Sequence, residues 1–285
     1  MKKNLFEETQ EILEKYGVRT KKFLGQNFLI NEEVFDKIVN YLDINKNDLV
    51  IEIGSGIGLL TKVLAAKAKK VIGIELDSSL VDISRDVLKF FSNIEILNKD
   101  VLKIDFNELI KENKSIKISA NIPYYITTPI VMHILEQKLP SSTKIALLMQ
   151  KEVGLRLTAK NGTKDYGITS IVVQYYAKPE LVSLVSNRSF FPAPKVDSAI
   201  IGFNILVKPP VKVDNEDIFF KTVRASFSHR RKMLSNSLLK KGLDLNKEKL
   251  LSIFNLSGID PKCRAEDLTM QDFAALAKNL GQYFK

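Results

Sequence analysis

Short β-branched runs alternate with helical patterns between about residues 45 and 150, and this alternation restricts the fold more than any other feature of the chain. The first run, residues 49–53, is typical of a buried strand, and a helical pattern follows over residues 59–68. The series continues with strand-like runs at residues 71–74, 94–97, 116–119 and 145–149 and with a helical pattern at 79–91. Strands that alternate with crossover helices form a parallel sheet with both faces covered. The sequence therefore predicts an α/β fold with a mostly parallel, doubly wound sheet.

The second half of the chain changes character twice. Two runs around residues 181–185 and 199–207 are separated only by a loop, which favours a hairpin and an antiparallel edge to the sheet. A Lys-Pro-Pro sequence at 208–210 then opens a polar stretch, after which the remaining patterns are helical. We predict a first domain over residues 1–207, a linker over 208–217 and a small all-α domain over 218–285.

Charge and cysteine content restrict the partner and the compartment. The chain has 285 residues and a formal net charge of +10, which favours a polyanionic partner because bound phosphates release their counterions. Its one cysteine, Cys263, excludes an internal disulfide and, with only two histidines, a Cys/His zinc site, so no metal is expected. The N-terminus is rich in acids, unlike a targeting signal, and no apolar run is long enough to cross a bilayer. We therefore expect a cytoplasmic protein.

A glycine-rich turn, residues 54–58 with the sequence G-S-G-I-G, lies between the first predicted strand and its helix. Glycines there let the backbone turn tightly and approach a ligand closely. Glu75 ends the next strand, where a carboxylate can accept both hydroxyls of a ribose. Asp100 follows the third strand, where it can accept a hydrogen bond from an adenine amine, although alone it would more often be a helix N-cap. Together these residues predict a nucleoside-containing cofactor.

The spacing of the glycines distinguishes between such cofactors. A dinucleotide site has G-x-G-x-x-G/A, whereas this loop has G-x-G-x-G, with Leu59 at the place of the third small residue. The G-K-[ST] signature of a phosphate loop is absent as well. S-adenosylmethionine carries no phosphate and needs no anion site, so the pattern favours it over a nicotinamide dinucleotide. A purely structural turn is the remaining alternative.

The tetrapeptide Asn121-Ile122-Pro123-Tyr124 follows the predicted strand directly, at the end of the sheet where ligands of α/β proteins bind. The N6 amine of adenine is a poor nucleophile because its lone pair is delocalised into the ring. The Asn121 side-chain oxygen and the Ile122 carbonyl oxygen can accept its two hydrogens, and Pro123 fixes the backbone between them. Tyr124 offers an aromatic face to an extruded adenine. These features predict N6 methylation, with a turn around a buried tyrosine as the alternative; the zinc-deaminase signatures H-x-E and P-C-x-x-C are absent.

A second aromatic segment, residues 189–198, contains two prolines that stiffen it, and Phe190 at its start is a candidate for the other wall of a base sandwich. By itself such a loop is more often core and turn than a base clamp.

These motifs, in this order, resemble the KsgA (RsmA) family of small-subunit ribosomal RNA adenine dimethyltransferases over nearly the whole chain. The segments that carry the resemblance are residues 21–29, which are similar to the family's leader and are called the leader below, and residues 52–61, 74–75, 121–124, 150–153 and 190–198. The related Erm enzymes, which methylate large-subunit RNA, share the leader core, the cofactor loop and N-I-P-Y. The segments that favour the first family are residues 164–167 with 174–176, 224–234 and 264–268. Ser55 stands where that family usually has proline.

The resemblance implies a Rossmann-like class I methyltransferase fold and S-adenosylmethionine as the cofactor. The cofactor contacts expected from it and from the neighbouring residues are Gln26, Asn27, Leu29, Gly54, Gly56, Gly58, Glu75, Leu76, Asp100, Val101 and Asn121. It assigns Tyr124 and Phe190 to the target base, beside Asn121, Ile122 and Pro123. It also implies that two adjacent adenosines, in a hairpin loop near the 3′ end of small-subunit RNA, each receive two methyl groups.

A basic segment in the predicted helical domain is the candidate RNA surface. Its members, Lys221, Arg224, Arg230, Arg231 and Lys232, lie within about three helical turns. The resemblance implies contact with RNA phosphates, to which Lys21 and Lys22 would add, and a solvated helix face is the alternative.

The leading hypothesis is therefore an enzyme that dimethylates small-subunit ribosomal RNA within immature 30S subunits, acting as a monomer. An Erm-like enzyme of large-subunit RNA differs from it only in substrate. A ribosome-assembly checkpoint that acts mainly by binding immature subunits is the alternative from another class. A nicotinamide dehydrogenase is disfavoured by the glycine spacing.

Overall fold

The computed structural model describes residues 4–18, 25–110, 113, 115–229, 232–239 and 245–284. In these ranges the helices are α1 (Leu5–Lys15), α2 (Glu32–Leu42), α3 (Leu59–Lys67), α4 (Ser78–Val87), α5 (Phe106–Ile110), α6 (Thr127–Glu136), α7 (Lys151–Leu157), α8 (Ile168–Tyr176), α9 (Glu216–Ser226), α10 (Leu234–Leu239), α11 (Lys247–Ser257) and α12 (Met270–Leu280). The strands are β1 (Phe28–Leu29), β2 (Leu49–Ile53), β3 (Lys70–Glu75), β4 (Ile94–Asn98), β5 (Ile116–Asn121), β6 (Lys144–Gln150), β7 (Ala177–Val185), β8 (Phe190–Phe191) and β9 (Ser198–Ile205). Within these ranges no helix combines the length and the apolar character that a bilayer-spanning segment needs.

Seven strands form one sheet in the order β4-β3-β2-β5-β6-β9-β7. The five strands from β4 to β6 are parallel, whereas β9 runs antiparallel to both β6 and β7. The central strand β2 is buried along its whole length, as expected when helices cover both faces of a parallel sheet. The predicted α/β class, the mostly parallel sheet and the antiparallel hairpin at its edge are confirmed.

The chain divides into two compact units. The first contains Met1–Gly154 and Ala177–Val207, and the second contains Leu155–Tyr176 and Lys208–Lys285. Residues 155–176, which the sequence prediction grouped with the first domain, therefore belong to the helical unit, since Tyr166 and Tyr175 are buried in its core. The predicted linker also contributes there, because Val211 is buried in the same core. The prolines and polar residues at 208–217 predicted a linker, and they gave no sign that Val211 packs into the helical core.

One predicted helix is shorter in the structure. The pattern over residues 79–91 predicted about one turn more than α4 contains, because the helix ends at Val87. The Leu88 amide makes the last α-helical bond, to the Ser84 carbonyl, and the Lys89 and Phe91 amides then donate to carbonyls only three residues back, which closes the helix. Leu88 then turns inward and is buried, while Phe90 remains exposed. The apolar periodicity continued past the helix because Leu88 packs into the core outside it.

Candidate active site

An open cleft of about 910 Å³, including the solvent at its mouth, lies in the first unit at the carboxyl ends of four adjacent parallel strands, β2, β3, β4 and β5. The neighbouring strands β2 and β5 are where the strand order reverses, and this is the place at which doubly wound sheets bind ligands. The predicted site residues that line the cleft are Gln26, Asn27, Gly54, Gly56, Glu75, Leu76, Asp100, Val101, Asn121, Ile122, Pro123 and Tyr124.

The glycine loop is held against the next strand by backbone hydrogen bonds. The Gly54 amide donates to the Ile74 carbonyl at 2.8 Å, and the Gly56 amide donates to Glu75 Oε2 at 2.9 Å. Both glycines have positive φ angles, 75° and 55°, which favour glycine over residues with a side chain. A Cβ atom built on Gly56 would lie 3.5 Å from the Phe28 ring, so the ring packs directly on the loop. The loop therefore presents bare backbone to the cleft.

Glu75 is placed to receive a ribose. Its Oε1 accepts from the Asp77 amide at 2.9 Å, so backbone donors fix both carboxylate oxygens and hold the side chain at the end of β3. Each carboxylate oxygen can accept more than one hydrogen bond, which leaves capacity for two hydroxyl donors. Burial raises the pKa of Glu75 above its ordinary value, and the bonds from Asp77 and Gly56 oppose this effect.

The residues that follow β3 and β4 supply an acid and an apolar surface. Asp100 caps a short 3₁₀ turn, where its Oδ1 accepts from the Leu102 amide at 3.0 Å, and it also lines the cleft. The helix-cap alternative and the ligand alternative for Asp100 are thus compatible. Leu76 is exposed at the cleft wall, and Val101 is buried beneath it. An apolar slot with an acid at its edge suits an adenine ring that has an amine. The ribose acid and the adenine slot fit S-adenosylmethionine.

The leader residues that the structure describes lie over the N-I-P-Y tetrapeptide. The Asn121 side-chain amide donates to the Asn27 carbonyl at 2.9 Å. Gly25 has φ 60°, and a Cβ atom built on it would lie 3.3 Å from Pro123 Cβ, so the backbones approach closely there. Gln26 donates from Nε2 to Asp77 Oδ2 at 2.9 Å. The segment 25–27 is therefore attached both to the N-I-P-Y tetrapeptide and to the start of α4.

The hydrogen bond to Asn27 also orients the Asn121 side chain. Since the amide nitrogen is the donor in that bond, Oδ1 is the atom left to accept from a substrate. The tetrapeptide backbone is fixed as well, because the Ile122 amide donates to the Leu148 carbonyl at 3.0 Å and the Ile126 amide to the Pro123 carbonyl at 3.1 Å. The site thus holds one side-chain acceptor in a set orientation on a rigid turn.

Three predicted site residues do not line the cleft. Leu29 and Phe190 pair across the two-stranded sheet β1-β8 and are buried in the core, with exposed fractions of 6% and 3%. Both side chains belong to the buried core cluster of the first unit, where the leader pairs with the start of the segment 189–198. Gly58 is the N-cap of α3 and has a φ angle of 90°. A Cβ atom built on it would lie 2.8 Å from Leu88 Cδ1. Glycine at 58 is thus explained by packing.

Substituting Gly58 tests this packing explanation. Gly58→Ala places a methyl group against buried Leu88 at a strained φ angle, so we expect the free energy of unfolding to fall by about 2–4 kcal/mol. Gly17→Ala is the matched control, because Gly17 also has a positive φ angle but has open space around it; about 1 kcal/mol is expected there. Urea titrations of both variants measure the difference. Equal losses would contradict the packing explanation.

Several residues of the site were not singled out from the sequence. Gly25, Phe28, Lys99 and Tyr125 also line the cleft, and Tyr125 is 58% exposed. Gly25 and Phe28 lie in the leader segment that carries the family resemblance, and their place in that segment could have identified them as site residues. Lys99 and Tyr125 adjoin predicted residues, but no spacing rule distinguishes them from ordinary surface residues.

Glu52 is a further unpredicted residue beside the cleft. It is buried next to the glycine loop and lines a smaller cavity of about 380 Å³ together with Phe28 and Asn121. Its Oε2 atom has no hydrogen-bond partner among the described residues. Burial is the main cause that raises the pKa of Glu52 to about 8; Thr61 opposes the shift, and the nearby Glu75 carboxylate adds a smaller upward contribution. The carboxyl group therefore holds its proton at neutral pH.

The predicted basic surface is described only in part. Lys221 and Arg224, one turn apart on α9, and Lys232 are exposed, and among the described residues no ion pair involves them. Arg230 and Arg231, like Lys21 and Lys22, lie outside the described residues.

Comparison with known proteins gives the same family as the motifs. Residues 17–282 match the family model described as ribosomal RNA adenine dimethylase. The chain is 46% identical over 269 residues to the ribosomal RNA small subunit methyltransferase A of Clostridium botulinum, covering 94% of this chain and 97% of the relative. The protein of the same name from Clostridioides difficile is 46% identical over 272 residues, with 94% and 93% covered.

Two solved structures share the fold over most of the chain. A dimethyladenosine transferase from Plasmodium falciparum matches with a TM-score of 0.76 at 27% identity, covering 90% of this chain and all of that one. The 23S rRNA methyltransferase ErmE matches with a TM-score of 0.66 at 26% identity, with the same coverage. The sequence resemblance is confirmed, and the chain belongs to the ribosomal RNA adenine dimethylase family of S-adenosylmethionine-dependent methyltransferases.

Proposed function

We propose that this protein dimethylates the N6 amines of two adjacent adenosines in the 3′-terminal hairpin loop of small-subunit ribosomal RNA. The observation that carries the proposal is the Asn121 amide, which is oriented by the Asn27 carbonyl at 2.9 Å beside Tyr124 and the glycine loop. A side-chain oxygen held at that place suits an exocyclic amine as substrate. The names of the relatives, which specify the small ribosomal subunit, support the choice of RNA.

The residues of the cleft prepare the substrate nitrogen for attack. Asn121 Oδ1 and the Ile122 carbonyl accept the two N6 hydrogens, which moves the nitrogen towards tetrahedral geometry and directs its lone pair. Tyr124 stacks on the extruded base. Glu75 and Asp100 would hold the ribose and the adenine of the cofactor, and the glycine loop would let it approach the backbone. When bound, S-adenosylmethionine would supply an electrophilic methyl group, with S-adenosylhomocysteine as the leaving group. The cationic nitrogen then loses a proton to solvent, so positioning supplies most of the rate.

The direct test is transfer of labelled methyl groups from S-adenosylmethionine to purified, unmethylated small and large ribosomal subunits, followed by nucleoside analysis. We expect N6,N6-dimethyladenosine on the small subunit alone. Label on large-subunit RNA alone would overturn the proposed substrate in favour of an Erm-like enzyme. No label on either subunit, with cofactor binding shown separately, would overturn methylation as the main activity.

Immature 30S subunits in the cytoplasm are the proposed form of the substrate, and a monomer is the proposed form of the enzyme. The separate helical unit with exposed Lys221 and Arg224 supports contact with RNA phosphates. An assembly checkpoint that acts by binding alone is disfavoured by the intact arrangement around Asn121. That arrangement would have no function in a protein that only binds.

The RNA contact can be tested through its salt dependence. Replacing Lys221 and Arg224 together by Ala is expected to weaken binding to small subunits and to make the slope of log affinity against log salt about 2 less steep, since each phosphate contact contributes about one. The matched control replaces Lys67 and Lys69, two exposed lysines before β3, at the end of the sheet away from the cleft. It removes the same charge, and we expect the salt slope to stay unchanged. Equal slopes for both double variants would contradict a local RNA contact on α9.

A further inference from the structure

Ser198 is a buried side chain that neither the motif analysis nor the proposed mechanism uses. Its exposed fraction is 0%, and its Oγ lies 2.7 Å from the Tyr124 hydroxyl. Ser198 is separated from Tyr124 by 74 positions in sequence, so only the tertiary fold brings the two hydroxyls together. The hydrogen bond joins the tyrosine of the catalytic tetrapeptide to the first residue of β9.

The backbone of Ser198 is held firmly. Ser198 pairs with Gln150 on β6 and with Val185 on β7, so strands fix it on both sides. The preceding residue, Asp197, accepts from the Lys151 amide at 3.1 Å through its carbonyl and from the Asn187 amide at 3.1 Å through Oδ1. The Ser198 hydroxyl is therefore a fixed point in the sheet, unlike a group on a loose loop.

For Tyr124, the bond to Ser198 holds the hydroxyl end of its ring at a fixed place. The residue is half-buried at the cleft wall and begins a short 3₁₀ turn, Tyr124–Ile126. A hydrogen bond at the hydroxyl restricts the first side-chain torsion and so fixes where the ring lies. The hydroxyl oxygen lies on the axis of the second torsion, so the bond restrains the ring plane only through the preference of the phenolic O–H for that plane. Phe190, the other aromatic residue predicted for the base, does not line the cleft. Of the two aromatic residues predicted for the base, Tyr124 is thus the one at the cleft, and the position of its ring affects how a base can stack at the tetrapeptide.

The electrostatic surroundings agree with a positioning role for the phenol. Burial raises the pKa of Tyr124, the bond to Ser198 lowers it, and the carboxylates of Asp197 and Glu152 raise it again, with a net upward shift. A phenol with a raised pKa stays neutral at physiological pH. The Tyr124 hydroxyl is thus suited to a neutral hydrogen bond and unsuited to removing a proton from the substrate.

We propose that Ser198 is a positioning residue that holds the Tyr124 ring in the orientation that receives the target adenine. The proposal rests on the proposed function, because it assumes that Tyr124 stacks on the substrate base. It adds Ser198 to the site as a residue that does not contact the substrate and affects it only by positioning Tyr124.

The test is a double-mutant cycle with Ser198→Ala, Tyr124→Phe and the combined variant. Each single change removes the same hydrogen bond and keeps the aromatic ring. We expect each to lower the single-turnover methylation rate on small subunits by about 5–10-fold, with saturating cofactor. The double variant should stay within about twofold of either single variant, because the second change has no bond left to remove. The dissociation constant for S-adenosylmethionine should change less than twofold in all three.

Controls separate this role from general damage to the fold. Ser84→Ala removes another buried serine hydroxyl, which donates to the Val81 carbonyl within α4, and the wild-type methylation rate is expected. A wild-type rate for Ser198→Ala, or a double variant whose loss equals the product of the single losses, would overturn the proposal. Should Ser198→Ala not fold, Tyr124→Phe still tests the bond from the other side, and a wild-type rate for it overturns the proposal. An inactive wild-type protein would instead contradict the proposed function itself.

Discussion

Replacing Asn121 by Ala is expected to lower the methylation rate at saturating cofactor by about 10²–10³-fold, the usual loss when one preorganised hydrogen-bonding group is removed from a transition state. The proposal gives the side chain two separate roles. Its Nδ2 holds the leader through the Asn27 carbonyl at 2.9 Å, and its Oδ1 is left to accept from the substrate amine. Loss of the leader contact should weaken S-adenosylmethionine binding by only about 2–10-fold. Single-turnover rates and equilibrium dialysis of the cofactor measure the two effects separately.

Asn121→Asp distinguishes these two roles. Aspartate keeps an acceptor oxygen for the substrate amine but cannot donate to the Asn27 carbonyl. We expect cofactor binding at least as weak as in Asn121→Ala, with a methylation rate at saturating cofactor about tenfold faster than in that variant. An Asp variant no faster than the Ala variant would contradict the acceptor role assigned to the side-chain oxygen.

The second large effect is a pH dependence of stability caused by Glu52. Burial raises the pKa of Glu52 from its ordinary 4.5 to about 8 in the folded protein. Between these pH values the folded state keeps a proton that the unfolded state has lost, so the free energy of unfolding falls as pH rises through this range. At about 1.4 kcal/mol per pH unit, the loss from this group approaches roughly 5 kcal/mol above pH 8.

Glu52→Gln should remove that loss, since the amide has a similar shape and does not ionise. Urea titrations between pH 5 and pH 9 are expected to show the variant gaining about 3–5 kcal/mol over the wild-type protein as pH rises. Glu136→Gln, at an exposed position on α6, is the control, and its difference from wild type should stay within about 0.5 kcal/mol. A difference for Glu52→Gln that does not change with pH would show that the folded protein does not hold this proton.

The sequence by itself determined the sheet and the order of the groups along the cleft. Strands and helices have different apolar periods, and parallel strands must place their carboxyl ends at one edge. Glu75 and Asn121 end their strands, and Gly54 and Asp100 follow theirs, so their meeting in one cleft follows from the topology. This local regularity made the cofactor and the tetrapeptide predictable.

Only the tertiary structure decided which side chains serve the cleft and which serve the core. Phe190 and Gly58 stand in the right motifs but pack against Leu29 and Leu88, because neighbours distant in sequence fill the space beside them. Ser198 reaches Tyr124 across 74 positions, and Glu52 acquires its raised pKa from the burial that the assembled core imposes. Contacts and desolvation of this kind depend on the packed fold, and no spacing along the chain encodes them.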